Sequence, residues 1–113
     1  MAMPSDSPEL DMILSALANG KRRGIIDVLS LHPETISSLA REQGLSLPAM
    51  HKHMLVLEKA HLIMRKQSGR THFVALNVRA LQVVQDWMKQ FHSAWGSEKA
   101  SLDNYIYQMH KRV

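Results

Sequence analysis

The chain has no cysteine among its 113 residues. This absence excludes disulfide bonds, thiolate metal sites and thiol-based redox sensing together. It fits a protein of the reducing cytoplasm, which is the location we expect. The sequence also lacks an apolar run long enough to span a membrane, so no membrane contact is expected. Residues 1–6 lack the basic and apolar regions of a secretory signal, and we expect them to be flexible.

Catalytic motifs are missing as well. The sequence contains no nucleophile elbow, no phosphate-cradling glycine loop and no metalloprotease helix. Ser37 and Ser38 with distant histidines do not make a catalytic triad. We therefore expect a protein that is not an enzyme and that needs no cofactor. The length predicts a single domain over residues 1–113, whose modest core would gain stability from self-association.

The net charge of the protein, +4, is concentrated in one segment. Residues 41–72 contain two acidic residues, Glu42 and Glu58, whereas the rest of the chain carries eight charges of each sign and sums to zero. Localised positive charge favours a polyanionic partner such as nucleic acid. The basic residues of this segment are Arg41, Lys52, Lys59, Arg65, Lys66 and Arg70.

The same segment has the pattern of a helix-turn-helix followed by a β-hairpin. Thr35 is a good N-cap for a short helix that reaches Gln43, and Gly44 supplies a sharp turn. Ser46 then caps a second helix over residues 48–60. Two strand-like runs follow, at 62–67 and 70–76, separated by the hairpin dipeptide Ser68-Gly69.

Helices are expected on both sides of this segment. Ser7 and Pro8 begin a first helix that ends at Asn19-Gly20, and a second runs from about 21 to 31, where His32-Pro33 ends it. Residues 79–112 are also expected to be helical, with an interruption at Gly96-Ser97. The predicted fold is therefore mainly α with a small β-hairpin. Five methionines lie on apolar stripes and are expected to fill the core: Met12, Met50, Met54, Met64 and Met88.

In a helix-turn-helix, the second helix enters the major groove of DNA and its N-terminal residues reach the base edges. The hairpin would contact the backbone or minor groove at the flank. For the second helix we expect contacts to DNA from Ser46, Ala49, His51, Lys52 and His53, and for the hairpin from Lys66 and Arg70. Four histidines lie in the basic segment, so their protonation would strengthen the attraction to phosphate.

Residues 10–106 resemble the ArsR-type winged helix-turn-helix transcriptional regulators. The resemblance rests on residues 13–23, 36–40, 45–60 and 69–73, of which 45–60 is the most specific stretch. It implies a homodimer that is joined through the first and last helices. Most proteins of this type repress transcription by covering a promoter. The contacts expected in this interface, with residues 79–112 as the C-terminal dimerisation helices, are Leu10, Ile13, Leu14, Leu17, Val84, Trp87, Phe91 and Trp95.

Three positions depart from the family pattern. His61 stands where the family has a glycine in left-handed conformation, and histidine tolerates that conformation better than most residues. His51 replaces a small hydroxyl residue that faces DNA, which predicts a different base preference or pH-sensitive binding. Leu55 replaces a commonly polar residue on the outer face, and the sequence does not indicate its contact.

Neither metal site of the family is expected. Residues 34–39 lack the cysteines of the first site, and Asp86, His92 and His110 do not match the spacing of the second. We therefore expect a homodimeric transcriptional regulator that acts as a repressor and binds a pseudo-palindromic operator on double-stranded DNA. The sequence does not identify its effector. Two alternatives stay open: a winged helix used for protein contact, and a cysteine-free metal-responsive repressor.

Overall fold

The computed structural model describes residues 7–91 and 98–111. These residues form six helices and a three-stranded antiparallel sheet with the strand order β1-β3-β2. In chain order the elements are α1 (Pro8–Leu17), α2 (Gly20–Leu29), β1 (Glu34–Thr35), α3 (Ile36–Glu42), α4 (Leu47–Lys59), β2 (Ile63–Ser68), β3 (Thr71–Leu76), α5 (Val78–Lys89) and α6 (Glu98–Lys111). The winged helix-turn-helix fold predicted from the sequence is confirmed.

Side-chain caps explain where four of the helices begin. Ser7, Asn19, Thr35 and Ser46 each accept a hydrogen bond from the backbone N–H three residues later, at the starts of α1, α2, α3 and α4. Such a bond satisfies one of the N–H groups that a helix leaves without a partner in its first turn. Three of these caps were expected; Asn19 was predicted only as part of the stop that follows α1.

The two helices of the helix-turn-helix end in the same way. After α3, the N–H of Gly44 bonds to Arg41 O and the N–H of Leu45 to Ala40 O, which is the Schellman pattern. After α4, His61 and Leu62 make the equivalent bonds to Glu58 O and Leu57 O. The C′ residue of this motif takes a positive φ, which is 64° at Gly44 and 58° at His61. His61 therefore carries a left-handed conformation that costs a residue with a side chain roughly 1–2 kcal/mol.

We expect His61→Gly to stabilise the fold. Glycine removes the strain of the left-handed conformation, and its greater freedom in the unfolded chain offsets about 0.5–1 kcal/mol of that gain. The net increase in the free energy of unfolding is therefore up to about 1 kcal/mol, measurable by urea denaturation. His32→Gly is the matched control, because φ at His32 is not positive and that variant gains nothing. A destabilised His61→Gly protein would show that the imidazole makes a contact worth more than the strain.

The core lies between α1–α4 and the sheet, and it is wholly apolar among the described residues. Met50, Met54 and Leu57 of α4 have 0% exposure and pack with residues of α1, α2, α3 and the sheet. The prediction for the methionines was only partly right. Met50 and Met54 are buried as expected, but Met12, Met64 and Met88 are 45%, 56% and 60% exposed, so they do not fill the core.

The sheet differs from the predicted hairpin in two respects. Glu34 and Thr35 form a third strand, β1, which pairs with Val74 and Phe73 of β3. The hairpin turn is also shifted by one residue, because Ser68 pairs with Thr71 and leaves Gly69-Arg70 as the two turn residues. Gly69 has φ 62°, and a positive φ at the first of two turn residues is typical of a type II′ hairpin.

The expected dimer-contact residues that the structure describes fall into three groups by their exposure in a single chain. Leu10 and Ile13 are 1% and 0% exposed within one chain, so the prediction that they contact a partner is wrong. Leu17, Val84 and Trp87 are half-buried, whereas Leu14 and Phe91 are 37% and 63% exposed. Phe91 lies just beyond the end of α5, and its ring meets that of Trp87 edge-on at 5.0 Å. Residues 1–6, which were expected to be flexible, and Trp95, which was expected to contact a partner, lie outside the described residues.

None of the described helices combines the length and the apolar composition that a membrane span requires.

Candidate nucleic-acid interface

The outer face of α4 carries most of the residues predicted to contact DNA. The apolar stripe of Met50, Met54 and Leu57 fixes which face of α4 points inward. Ser46, His51 and Lys52 are consequently exposed, and Ala49 is half-buried at the start of the helix. This arrangement leaves the first turns of α4 open to a groove, with side chains small enough at Ser46 and Ala49 for close approach.

His53 points elsewhere than predicted. Its ring is half-buried on the flank of α4 that faces α2, and Nδ1 lies 3.4 Å from Nη1 of Arg22. Burial lowers the pKa of His53 below its ordinary value of 6.5, and the positive charges of Arg22 and Lys21 lower it further. The structure therefore places His53 against α2 rather than on the groove-facing surface.

Arg65 is held by Glu58. Arg65 Nε on β2 lies 3.1 Å from Glu58 Oε1, an oxygen that is screened from solvent, so this ion pair joins the hairpin to α4. It neutralises the only acid of α4, since no other acidic residue occurs between Leu47 and Lys59. The basic side chains left to act on a partner from the hairpin are those of Lys66 and Arg70, both exposed.

A cleft separates the tip of the hairpin from the two helices of the helix-turn-helix. It has a volume of about 370 Å³ and no carboxylate in its lining. Arg70, His51 and His72 bring nitrogen donors to it, and Ser37 and Thr71 bring hydroxyls. Such a donor set suits an anion the size of a phosphodiester group. The residues that line the cleft are Thr35, Ile36, Ser37, Leu47, His51, Arg70, Thr71 and His72.

Six of the eight cleft residues were not predicted as site residues: Thr35, Ile36, Ser37, Leu47, Thr71 and His72. No spacing rule connects residue 37 with residue 72, because the two are brought together only when β3 returns beside β1. A signal was available for Thr71 and His72, which follow directly after Arg70 at the hairpin turn. The predicted contacts with DNA therefore stay predictions. The structure does bring His51 of the helix and Arg70 of the hairpin together in one cleft.

The basic triplet Lys21-Arg22-Arg23 at the start of α2 does not extend this surface. Lys21 Nζ donates to Gln43 O at 2.7 Å, at the end of α3, and Arg23 Nη1 donates to Leu17 O at 2.8 Å, at the end of α1. Arg22 Nε donates to Ala16 O at 2.6 Å. These side chains satisfy carbonyl groups that helix ends leave without partners, so they stabilise the frame that holds α4.

Metal ligands do not gather in the part of the chain that the structure describes. In residues 7–91 and 98–111, no three His, Asp or Glu side chains lie close enough to hold one metal ion within a single chain. Asp86 lies 3.8 Å from Lys89, with which it forms an exposed ion pair. His92, the second candidate from the sequence, lies outside the described residues.

Comparison with known proteins connects this geometry to a class of regulators. No family model matches the chain. The chain is 31% identical over 81 residues to the HTH-type transcriptional regulator Rv2034 of Mycobacterium tuberculosis, covering 72% of this chain and 76% of that protein. It is 27% identical over 82 residues to the transcriptional repressor SdpR of Bacillus subtilis, covering 73% of this chain and 91% of that protein.

Solved structures give the same result. The crystal structure of an ArsR family transcriptional regulator, RHA00566, matches with a TM-score of 0.74 and 31% identity, covering 87% of this chain and 99% of that chain. A solution structure of a homodimeric winged helix-turn-helix DNA-binding domain from Mycobacterium bovis matches with a TM-score of 0.61 and 21% identity. The second match covers 80% of this chain and 98% of that chain, and it bears on the fold alone.

Proposed function

Because the chain belongs to the ArsR family of winged helix-turn-helix transcriptional regulators, we propose that it represses transcription by binding DNA as a homodimer. One α4 per subunit would enter the major groove, so α4 is called the recognition helix from here on. Two such helices related by two-fold symmetry would recognise a pseudo-palindromic operator. A repressor of this kind has to reach the chromosome, and the proposed cytoplasmic location follows from that requirement.

The cleft between the recognition helix and the hairpin is the observation that carries this proposal. It joins donors from both elements and has no carboxylate in its lining, although the chain contains ten acidic residues. The ion pair with Arg65 also removes the charge of Glu58 from the neighbouring surface. A phosphate of the DNA backbone would lie in the cleft, and Lys52 beside it would face the groove. Phosphate contacts position a protein on DNA, while contacts to base edges supply the specificity.

The homodimer is supported by apolar residues that the single chain leaves exposed. Leu14 on α1 and Phe91 after α5 belong to this set, and further apolar side chains lie on α6. A chain of this size has reason to bury such residues against a second copy, because its own core is modest. The exposed apolar residues of α6 are Leu102, Tyr105, Ile106, Tyr107 and Met109.

Titration of duplex DNA with the purified chain at several salt concentrations tests the proposed function. Binding should weaken steeply as salt rises, because each neutralised phosphate releases condensed counterions. It should also differ between sequences. The alternative of a winged helix used for protein contact finds some support in Leu55, an apolar residue of the recognition helix that is 57% exposed. Binding that is weak and the same for every sequence would favour that alternative.

A further inference from the structure

Arg22 contacts two helices at once. Its Nε donates to Ala16 O at 2.6 Å and its Nη2 to Ser15 O at 3.3 Å, both in the last turn of α1. Its Nη1 lies 3.4 Å from Nδ1 of His53, in the middle of the recognition helix. The backbone N–H of Arg22 is itself bound by the side chain of Asn19, at 3.1 Å. The guanidinium group is therefore a short, anchored link between the end of α1 and the recognition helix.

The chemistry of this link fixes the protonation state of His53. A guanidinium group has only donors, so Nδ1 of His53 must be the acceptor. Nδ1 can accept only when the imidazole is neutral and its proton resides on Nε2. The half-buried position of the ring agrees with this state, because burial, followed by the charges of Arg22 and Lys21, lowers the pKa of His53. On α1, the acidic Glu9 and Asp11 lie in the first turn, at the opposite end from Ala16.

The recognition helix is held from two sides. His53 and Glu58 are five positions apart, which places them about 140° apart around the helix axis. Arg22 engages the first flank, and Arg65 on β2 engages the second at 3.1 Å. Ala49 lies one turn before His53, and Lys52 is its neighbour in sequence. The buried stripe sets the inward face of the helix, and loss of either arginine contact would remove a restraint on small rotations about that stripe, which would shift its groove-facing side chains.

We propose that Arg22 is a positioning residue that sets the rotation of the recognition helix relative to α1, through a hydrogen bond that only neutral His53 can accept. The inference rests on the proposed DNA-binding function, and it adds a dependence on protonation to it. Acidification breaks the link and lowers the discrimination between operator and random DNA. Protonation of the other histidines in the basic segment strengthens the attraction to phosphate, and at His51, on the outer face of the recognition helix, it also acts on contacts in the groove. The contribution of His53 is therefore isolated by comparing the ratio of operator affinity to random-DNA affinity between the wild type and a variant in which only His53 is replaced.

Three variants test the link. His53→Phe keeps an aromatic ring but removes the Nδ1 acceptor. Arg22→Lys keeps the positive charge but removes the planar guanidinium group with its several N–H donors. His53→Asn keeps an acceptor that does not titrate. At pH 7.5 we expect the affinity ratio to fall roughly tenfold in His53→Phe and in Arg22→Lys, and to fall no further in the double variant. Between pH 7.5 and pH 5.5 the ratio should fall further in the wild type than in His53→Asn, which keeps every other histidine of the basic segment.

The controls keep the result interpretable. Circular dichroism at the assay temperature checks that each variant is folded. Histidine ring ¹⁵N shifts, measured without DNA, should show His53 with its proton on Nε2 at pH 7.5, and Arg22→Lys should change them. Ratios in His53→Phe and Arg22→Lys equal to that of the wild type would overturn the inference, as would a His53 ring unaffected by Arg22→Lys. A wild-type chain that prefers no sequence, with the ring shifts as expected, would instead contradict the proposed function.

Discussion

Replacing Lys52 or Arg70 with alanine is expected to weaken operator binding by roughly 5- to 150-fold, since a contact of this kind contributes about 1–3 kcal/mol. The two variants should differ in character. Arg70 is exposed at the tip of the hairpin and lines the cleft, so Arg70→Ala should weaken binding to all sequences alike. Lys52 lies on the outer face of the recognition helix, so Lys52→Ala should also relax the preference at one base position.

The salt dependence identifies the mechanism behind these losses. Each phosphate contact removed should reduce the slope of log affinity against log salt by about one. Arg79→Ala is the matched control, because Arg79 is an exposed cation in the first turn of α5, away from the cleft. Fluorescence anisotropy with labelled operator measures both quantities. Unchanged affinity in Lys52→Ala and Arg70→Ala, or an equal loss in Arg79→Ala, would contradict docking through the recognition helix and the hairpin.

Glutamate in place of Leu14 is expected to convert the protein into a monomer. Leu14 is 37% exposed on α1, and burial of a charge against a partner's apolar surface is strongly unfavourable. A monomer loses the gain that comes from linking two half-sites, so operator affinity should fall by a factor of about 100 or more. Affinity for a single half-site should stay the same, because Leu14 is not among the residues that line the cleft.

Leu31→Glu provides the matched control for this experiment. Leu31 is 79% exposed in the segment between α2 and β1. The Leu31→Glu variant therefore carries the same change of side chain at a position outside the proposed interface. Sedimentation equilibrium measures the oligomeric state of both variants, and circular dichroism checks their folding. A Leu14→Glu protein that remains dimeric, or a wild-type chain that is monomeric at the concentrations of the DNA-binding assay, would contradict an interface that uses this face of α1.

Local signals in the sequence were sufficient to predict the helix-turn-helix. Thr35 and Ser46 form their capping bonds, and Gly44 takes the positive φ that was expected of it. These features were predictable because each depends on residues within one or two turns of helix. The two-residue strand β1 was not, since so short a segment has no periodicity and pairs with Val74, forty positions away.

Burial was the harder property to predict. Leu10, Ile13 and Leu14 form one apolar stripe in the sequence, yet the first two are core residues and only Leu14 is exposed. A stripe identifies the face of a helix that avoids water, but it does not separate contacts within the chain from contacts with a partner. His53 is a similar case. Its position next to Lys52 predicted a contact with DNA. In the structure its ring instead contacts Arg22 of α2, a residue 31 positions away in the sequence.

Selection of bound fragments from random duplex DNA by the purified chain tests whether the protein recognises an operator. Successive rounds should enrich an inverted repeat, with its half-sites about one helical turn of DNA apart, as expected for two symmetry-related recognition helices. Binding to the enriched sequence should weaken as salt is raised. Fragments that remain random in sequence after selection would contradict a regulator that recognises DNA through α4 and the hairpin.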